Sequence, residues 1–202
     1  IFEIAYAMND IHTSHVFTGY YNSPEFGYEA TDIGDFGERT QNFYQGIWNM
    51  QDRIEEAGMD YQNMPEYRLL DNDKTAIVYL TGFSIDTPGS FSKTISLLPV
   101  TVENVVIDIA YNTGGNVGAV FRIFGYITEE TFQYHSQNPA DGSGVTYNIT
   151  SDYVAYEYNW FFVTSGVTFS AGNIMANMAL ELGFPVMGKP TSGGASSIGV
   201  IM

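Results

Sequence analysis

The sequence contains no cysteine and few basic residues, and these two absences exclude several classes of protein. Without cysteine, disulfides, thiolate zinc sites and cysteine nucleophiles are impossible. Seven Lys plus Arg stand against 23 Asp plus Glu, which gives a formal net charge of −16. Because no basic patch can displace counterions, we expect neither nucleic acid nor an anionic membrane surface as a partner. Only Lys74, Lys93 and Lys189 could supply an amine for chemistry.

The sequence contains no long apolar run, and its first residues do not show the basic and then apolar pattern of a signal peptide. No stretch of about 18 apolar residues occurs, so we expect no segment that spans a membrane. The chain opens as if within a domain and closes on the strand-like SSIGVIM (196–202), so we expect truncation at both ends. Its 202 residues, with 15 tyrosines and 14 phenylalanines, suffice for one domain with a sizeable core.

The order of apolar and polar segments predicts a layered α/β fold. The run NVVIDIA (104–110) is apolar apart from Asp108, which is typical of a strand covered on both faces. Residues 16–37 and 128–157 show no periodicity and are expected to be irregular, either as ordinary surface loops or as lids and substrate walls. From residue 75 onward strands and helices alternate, which predicts a largely parallel sheet. The predicted helices are 40–57, 90–98, 116–126 and 171–182, and the predicted strands are 67–70, 75–85, 104–110, 159–165 and 185–188.

A serine lies between the predicted strand 159–165 and the predicted helix 171–182. In VTFSAGNIMANMALELG (167–183), Ser170 comes directly before a predicted helix that Gly183 ends. One interpretation is a helix N-cap, the usual role of serine at such a position. The other is a nucleophile, with the N–H of Ala171 as one donor to a developing oxyanion. The pattern lacks a glycine two places before the serine, so it is not the nucleophile elbow of α/β-hydrolases.

Two further segments could contribute to the same chemistry. IDIAYNTGGNVG (107–118) leads from a strand through two glycines into a helix, and the N–H of Gly114 or Gly115 could be a second oxyanion donor. The alternative is a plain strand-to-helix turn, since no phosphate-binding or dinucleotide-binding pattern is complete. Of the histidines, His12 in NDIHTS (9–14) is of interest only as a general base for a distant serine.

These three segments, in this order, resemble the C-terminal processing (tail-specific) serine peptidases, whose protease core is shared with tricorn. The matching patterns are Asp-x-His-Thr at NDIHTS, Asp-x-x-x-Asn-x-Gly-Gly at DIAYNTGG, and Ser-Ala-x-x-Ile…Thr-x-Gly at SAGNIMANMALELGFPVMGKPTSGG. The resemblance implies a ClpP/crotonase-like layered α/β core with flanking helices, and serine peptidase activity. It implies Ser170 as nucleophile, with the N–H groups of Ala171 and of Gly114 or Gly115 in the oxyanion hole.

Departures from the family pattern indicate its histidine-using branch. In the lysine-dyad branch a lysine follows the Thr-x-Gly of the last motif, whereas Gly194 stands there in this sequence and Lys189 is five residues early. Where the family usually has a Glu after the serine motif, this sequence has Asn173. The resemblance therefore implies His12 as the base, with an orienting acid expected beyond Met202. We expect residues 1–74 to carry the His motif, a lid-like loop and a helix without a PDZ module, and 75–202 to be the peptidase core.

The sequence leaves two other functions open. A non-catalytic ligand- or protein-binding module can use the same fold, as the retinoid-binding repeats of the interphotoreceptor protein do. An acyl-CoA enzyme of the crotonase superfamily is a weaker alternative, because few basic residues are present to bind the CoA phosphates. For the peptidase we expect a polypeptide substrate, no cofactor and no metal. The family tendency and the absence of cysteine lead us to expect a bacterial protein outside the cytoplasm, secreted or at the cell surface.

Overall fold

A computed structural model describes residues 38–56, 58, 65–70, 73–138, 141–151 and 153–194. The predicted base His12, the predicted loop at 16–37 and the strand-like run 196–202 lie outside these residues. Among the helices in the described ranges, none combines the length and apolar character that a membrane crossing requires.

The described chain contains four helices and seven strands, numbered here in chain order. The helices are α1 (Glu38–Glu56), α2 (Thr87–Ser96), α3 (Val117–Phe124) and α4 (Ala171–Glu181). The strands are β1 (Glu66–Leu69), β2 (Thr75–Tyr79), β3 (Asn104–Asp108), β4 (Phe132–Gln137), β5 (Gly144–Ile149), β6 (Asn159–Thr164) and β7 (Val186–Gly188).

Five of the strands form one sheet in the order β1-β2-β3-β6-β7. The β2–β3, β3–β6 and β6–β7 pairs are parallel, and only β1 runs antiparallel to its neighbour. In the centre of the sheet Val105 pairs with Ala76 on one side and with Trp160 on the other. The predicted layered α/β architecture with a largely parallel sheet is therefore confirmed.

The core lies between one face of this sheet and helices α2, α3 and α4. Strands β2 and β3 alternate half-buried and fully buried residues, and the fully buried ones face the helices. This layer forms because each helix has one apolar stripe that must be removed from water. The largest fully buried side chains are Phe91, Phe124, Phe162, Leu80, Ile95, Ile107, Ile109, Ile123 and Met175.

The structure corrects two predicted segments. The strand predicted at 75–85 ends at Tyr79, because the chain then turns and only Phe83 makes a further bridge, to Gly115. The segment 128–157, predicted to be irregular, contains the antiparallel hairpin β4–β5. Alternate residues of β4 point inward, where Phe132 and Tyr134 pack on the ring of Phe121 with centroid distances of 5.9 and 5.1 Å. Aromatic packing on α3 therefore orders a segment whose composition suggests a loop.

The parallel strands bring three loops to one edge of the sheet. Strands β2, β3 and β6 all end at this edge, and they are followed by residues 80–86, 109–116 and 165–170. In open α/β sheets, ligands bind beyond the carboxyl ends of the strands. The second of these loops contains Gly114 and Gly115, and the third ends at Ser170.

Candidate active site

Ser170 occupies a strained turn between β6 and α4. Its backbone angles are φ 53° and ψ −120°, a region that residues other than glycine rarely adopt. Although Ser170 is in the N-cap position, its side chain makes no capping hydrogen bond, because a capping residue needs an extended backbone. The hydroxyl is half-buried and donates to no described residue. The N-cap interpretation is therefore wrong, and strain of this kind is concentrated at functional sites.

The turn that leads to Ser170 is held to the end of β3 by side chains. The Thr168 hydroxyl donates to the Ile109 carbonyl at 2.8 Å and accepts from the Ser165 N–H at 2.9 Å. The Ser165 hydroxyl donates in turn to the carbonyl oxygen of Ala110. The backbone N–H of Ser170 donates to the Gly193 carbonyl at 2.8 Å. The nucleophile turn, defined as residues 165–170, is thus fixed on both sides.

Helix α1 supports the other side of this turn. The ring of Phe43 packs on that of Phe169 with a centroid distance of 5.1 Å, and both side chains are buried. At Gly46 a Cβ would lie only 2.9 Å from the Cγ2 of Val167, so a side chain there would push the helix off the turn. Sequence reasoning missed this contact, although the apolar stripe of the helix, with Phe43 and Ile47, was its signal.

The two adjacent glycines lie directly against Ser170. A Cβ on Gly114 would be 2.6 Å from the Ser170 Cβ and 3.1 Å from the Ala171 nitrogen, and Gly114 has φ +111°. Gly115, with φ +128°, is equally closed to a side chain, because its Cβ would meet the Phe83 carbonyl oxygen at 2.1 Å. Only glycine allows the loop to approach the serine this closely. The glycine turn, defined as residues 112–116, and the nucleophile turn form one contact.

The hydrogen bonds show which backbone N–H groups near Ser170 already have an acceptor. The Gly114 N–H donates to the Asn112 side-chain oxygen at 2.9 Å. The Phe83 N–H donates to the Gly114 carbonyl, and the Phe83 carbonyl accepts from the Asn116 N–H. This is the pattern of a parallel bridge between Phe83 and Gly115, in which the Gly115 N–H points away from Phe83. Neither the Gly115 N–H nor the Ala171 N–H donates to a described residue. Two N–H groups with no partner among the described residues therefore flank the contact with Ser170, one of them at the positive end of α4.

A half-buried carboxyl lies just before the glycine turn. Asp108 ends β3, and burial raises the pKa of its side chain above the ordinary value of 3.8, against the smaller effect of a hydrogen bond from the Ala110 N–H at 2.8 Å. In register with it on β2, Tyr79 also has a raised pKa, first through burial and then through the nearby Asp108 charge. Perturbed groups of this kind are concentrated at functional sites but also occur in structural networks.

None of the three lysines is buried beside Ser170. Lys74 makes an exposed ion pair with Glu103 at 2.7 Å, and Lys93 is exposed on α2. Lys189 is exposed and borders a cavity of about 370 Å³ whose α4 wall is formed by Ala176, Asn177 and Leu180. Those residues lie about 9–15 Å along the helix from Ser170, given a rise of 1.5 Å per residue. The placement of Lys189 gives no support to it as the base.

The hairpin residue Phe132 lies near the C-terminal end of α4. Phe132 shares a small cavity with Met178 and Leu182, which are about 12–18 Å along the helix from Ser170. On the hairpin, His135 is exposed and its Nδ1 is 2.9 Å from the Thr146 hydroxyl. Within the described residues, no cluster of His, Asp and Glu side chains could hold a metal ion.

Comparison with known proteins gives one family match and several similar folds. The family model for peptidase family S41 matches residues 74–201. Among curated proteins, none matches the chain. A structure of a candidate peptidase from Parabacteroides merdae ATCC 43184 has a TM-score of 0.57 and 23% identity, over 76% of this chain and 50% of its own. A structure of a photosystem II D1 C-terminal processing protease has a TM-score of 0.51 and 18% identity, over 58% of this chain and 30% of its own.

A lipoprotein from Streptococcus agalactiae is also similar, with a TM-score of 0.50 and 16% identity, over 82% of this chain and 73% of its own. At these identities the likenesses show a shared fold. The chain spans half of the first similar structure and 30% of the second.

Proposed function

The chain belongs to peptidase family S41, and we propose that it is a serine peptidase that cleaves polypeptides through an acyl-enzyme on Ser170. The observation that carries this proposal is the strained, uncapped serine at the start of α4, in contact with the glycine turn. A hydroxyl that neither caps the helix nor bonds elsewhere in the described chain remains available for attack. The cost of holding a serine at positive φ, about 1–3 kcal/mol, favours a functional reason for the conformation.

The proposed reaction follows the general chemistry of acyl transfer. The Ser170 hydroxyl attacks the scissile carbonyl while His12 takes its proton, and His12 then gives the proton to the leaving amine. The N–H of Ala171 and a glycine N–H stabilise the oxyanion of the tetrahedral intermediate. Of the two predicted glycines, Gly115 is favoured, because the Gly114 N–H already donates to Asn112. Water then hydrolyses the acyl-enzyme with His12 as base.

Labelling of the full-length protein with a fluorophosphonate tests the nucleophile. We expect an adduct on the peptide that contains Ser170, loss of the adduct in Ser170→Ala, and normal labelling in the control Ser90→Ala, since Ser90 is exposed on α2. Absence of the adduct from folded wild-type protein would contradict the proposal and leave the non-catalytic binding module as the alternative.

The base has a matched control three residues away. We expect His12→Ala to slow labelling by a factor on the order of 10² to 10⁴, the usual contribution of a general base, while His15→Ala labels normally. Equal rates in the two variants would remove His12 from the mechanism and leave Ser170 to another base.

We also propose that the protein acts outside the cytoplasm. An extracytoplasmic location is consistent with a chain that has no cysteine and a net charge of −16, because such a protein needs no protection of thiols and stays soluble. Fractionation of cells that express the full-length protein tests the location, and recovery with cytoplasmic proteins alone would contradict it.

A further inference from the structure

Asn112, a residue of the glycine turn that the proposed reaction does not use, bonds to both turns. Asn112 is completely buried, and its side chain bonds in two directions. Its Nδ2 donates to the Leu80 carbonyl at 2.9 Å, and its Oδ1 accepts from the Gly114 N–H at 2.9 Å. Buried side-chain amides with both ends bonded fix the groups around them, because no water can replace a lost partner.

The backbone of Asn112 reaches the other turn. Its carbonyl oxygen accepts from the Phe169 N–H at 2.9 Å, one residue before the candidate nucleophile. On the far side of Ser170, a Cβ on Gly172 would lie 2.8 Å from both the Asn112 carbonyl oxygen and its Oδ1. The chain around Ser170 therefore rests on Asn112 from both sides.

We infer that Asn112 is a positioning residue that fixes the glycine turn and the nucleophile turn relative to each other and selects which glycine N–H is left for the oxyanion. The inference rests on the proposed function and deepens it. By accepting from Gly114, the Asn112 side chain removes that N–H from the oxyanion hole and holds the loop in a conformation in which the Gly115 N–H bonds to no described residue. The backbone carbonyl of Asn112, which accepts from the Phe169 N–H, sets where the Ser170 hydroxyl lies relative to that N–H.

Two substitutions of Asn112 separate the effect of its bond to Gly114 from the effect of its bond to Leu80. Asn112→Ala removes both side-chain bonds, whereas Asn112→Asp keeps the acceptor for Gly114 and loses the donor to Leu80. Thr94→Val is the matched control, because Thr94 is also buried and its hydroxyl donates to a backbone carbonyl, that of Pro65 at 3.0 Å, away from the site. All three variants lose a buried bond between a side chain and the backbone, so all are expected to lower the Tm.

Only the Asn112 variants are expected to lower reactivity. In folded protein, we expect Asn112→Ala to slow fluorophosphonate labelling of Ser170 by about 10²-fold, because a displacement of about 1 Å in a catalytic group costs that much. With a peptide substrate, kcat should fall while KM stays within about threefold, as for an interaction made only in the transition state. Asn112→Asp should be intermediate, and Thr94→Val should match the wild type in both measurements.

Amide hydrogen exchange provides a readout that does not need activity. The Gly114 amide should exchange slowly in the wild type and in Asn112→Asp, and much faster in Asn112→Ala. If the Asn112 variants fold and label at the rate of Thr94→Val, the positioning role is wrong even though the peptidase proposal stands. If wild-type protein gives no adduct, the proposed function fails, and with it the catalytic part of the inference. Equal Gly114 exchange in wild type and Asn112→Ala overturns the structural part in either case.

Discussion

Replacement of Gly114 by alanine tests whether the contact between the two turns is as close as the structure indicates. An alanine Cβ at this position would be 2.6 Å from the Ser170 Cβ and 3.1 Å from both the Ala171 nitrogen and the Phe169 carbonyl oxygen. Carbon atoms in contact prefer a separation of about 3.5–4.0 Å. The glycine turn or Ser170 must therefore move by roughly 1 Å.

The free energy cost has two parts. A non-glycine residue at φ +111° is strained, which costs on the order of 1–3 kcal/mol. Forcing a methyl group into a packed contact adds about 1–3 kcal/mol. Because the displacement falls on the serine and on the loop that carries the proposed oxyanion donor, we also expect labelling of Ser170 to slow by on the order of 10²-fold or more.

The assay compares the rate of fluorophosphonate labelling with the free energy of unfolding from urea titration. Gly166→Ala is the matched control, because Gly166 lies in the nucleophile turn, has no positive φ, and has nothing within 4 Å of a built Cβ. We expect the control to label at the wild-type rate and to be as stable. If Gly114→Ala labels as fast as Gly166→Ala, the close approach of the two turns is wrong.

Two more predictions concern strain and charge. Ser170→Gly should abolish labelling yet raise the free energy of unfolding by about 1 kcal/mol over Ser170→Ala, since only glycine relieves the strain at φ 53°; equal urea midpoints for the two variants would contradict this. Burial raises the pKa of Asp108 above 3.8. Between the unfolded and the native pKa, the native state therefore keeps a proton that the unfolded chain has lost. The free energy of unfolding should fall as the pH rises from about 4 through the raised native pKa. Asp108→Asn keeps the acceptor for Ala110 and should remove this fall, with a slope difference of at most about 1.4 kcal/mol per pH unit; parallel stability curves for the two proteins would refute it.

The elements with strong periodic signals were predictable from the sequence, and those that depend on distant packing were not. Strand β3 has a continuous apolar run, and α4 has apolar residues at steps of four, so both were predicted to within two residues. The hairpin β4–β5 was missed because its outer face is polar and its segment is rich in Tyr, Asn and Gly. Its strands exist because alternate aromatic residues reach Phe121 on α3, a contact that local composition does not encode.

The candidate site shows the same division between local and distant information. The sequence located Ser170 at a strand-to-helix junction and the two glycines after β3, since both patterns are local. It could not choose between a cap and a nucleophile, because both need a serine at the same place and differ only in backbone angles. It also could not choose between Gly114 and Gly115, because that choice depends on where the Asn112 side chain bonds. An asparagine two residues before a glycine pair, just after an apolar run, is the sequence signal that could have indicated it.

The strained conformation of Ser170 persists because hydrogen bonds on both sides of the residue hold it in place. On one side the Thr168 hydroxyl and the Phe169 N–H donate to carbonyls of the loop that follows β3. On the other side the Ser170 N–H donates to Gly193, and the Ser170 carbonyl oxygen accepts from Ile174. Four hydrogen bonds at about 0.5–1.5 kcal/mol each are together large enough to offset the roughly 1–3 kcal/mol that positive φ costs. Relaxing Ser170 into a capping conformation would break several of them to gain one. Within the described residues, the fold therefore leaves the first N–H of α4 and the Ser170 hydroxyl without a partner, which is consistent with the proposed oxyanion hole.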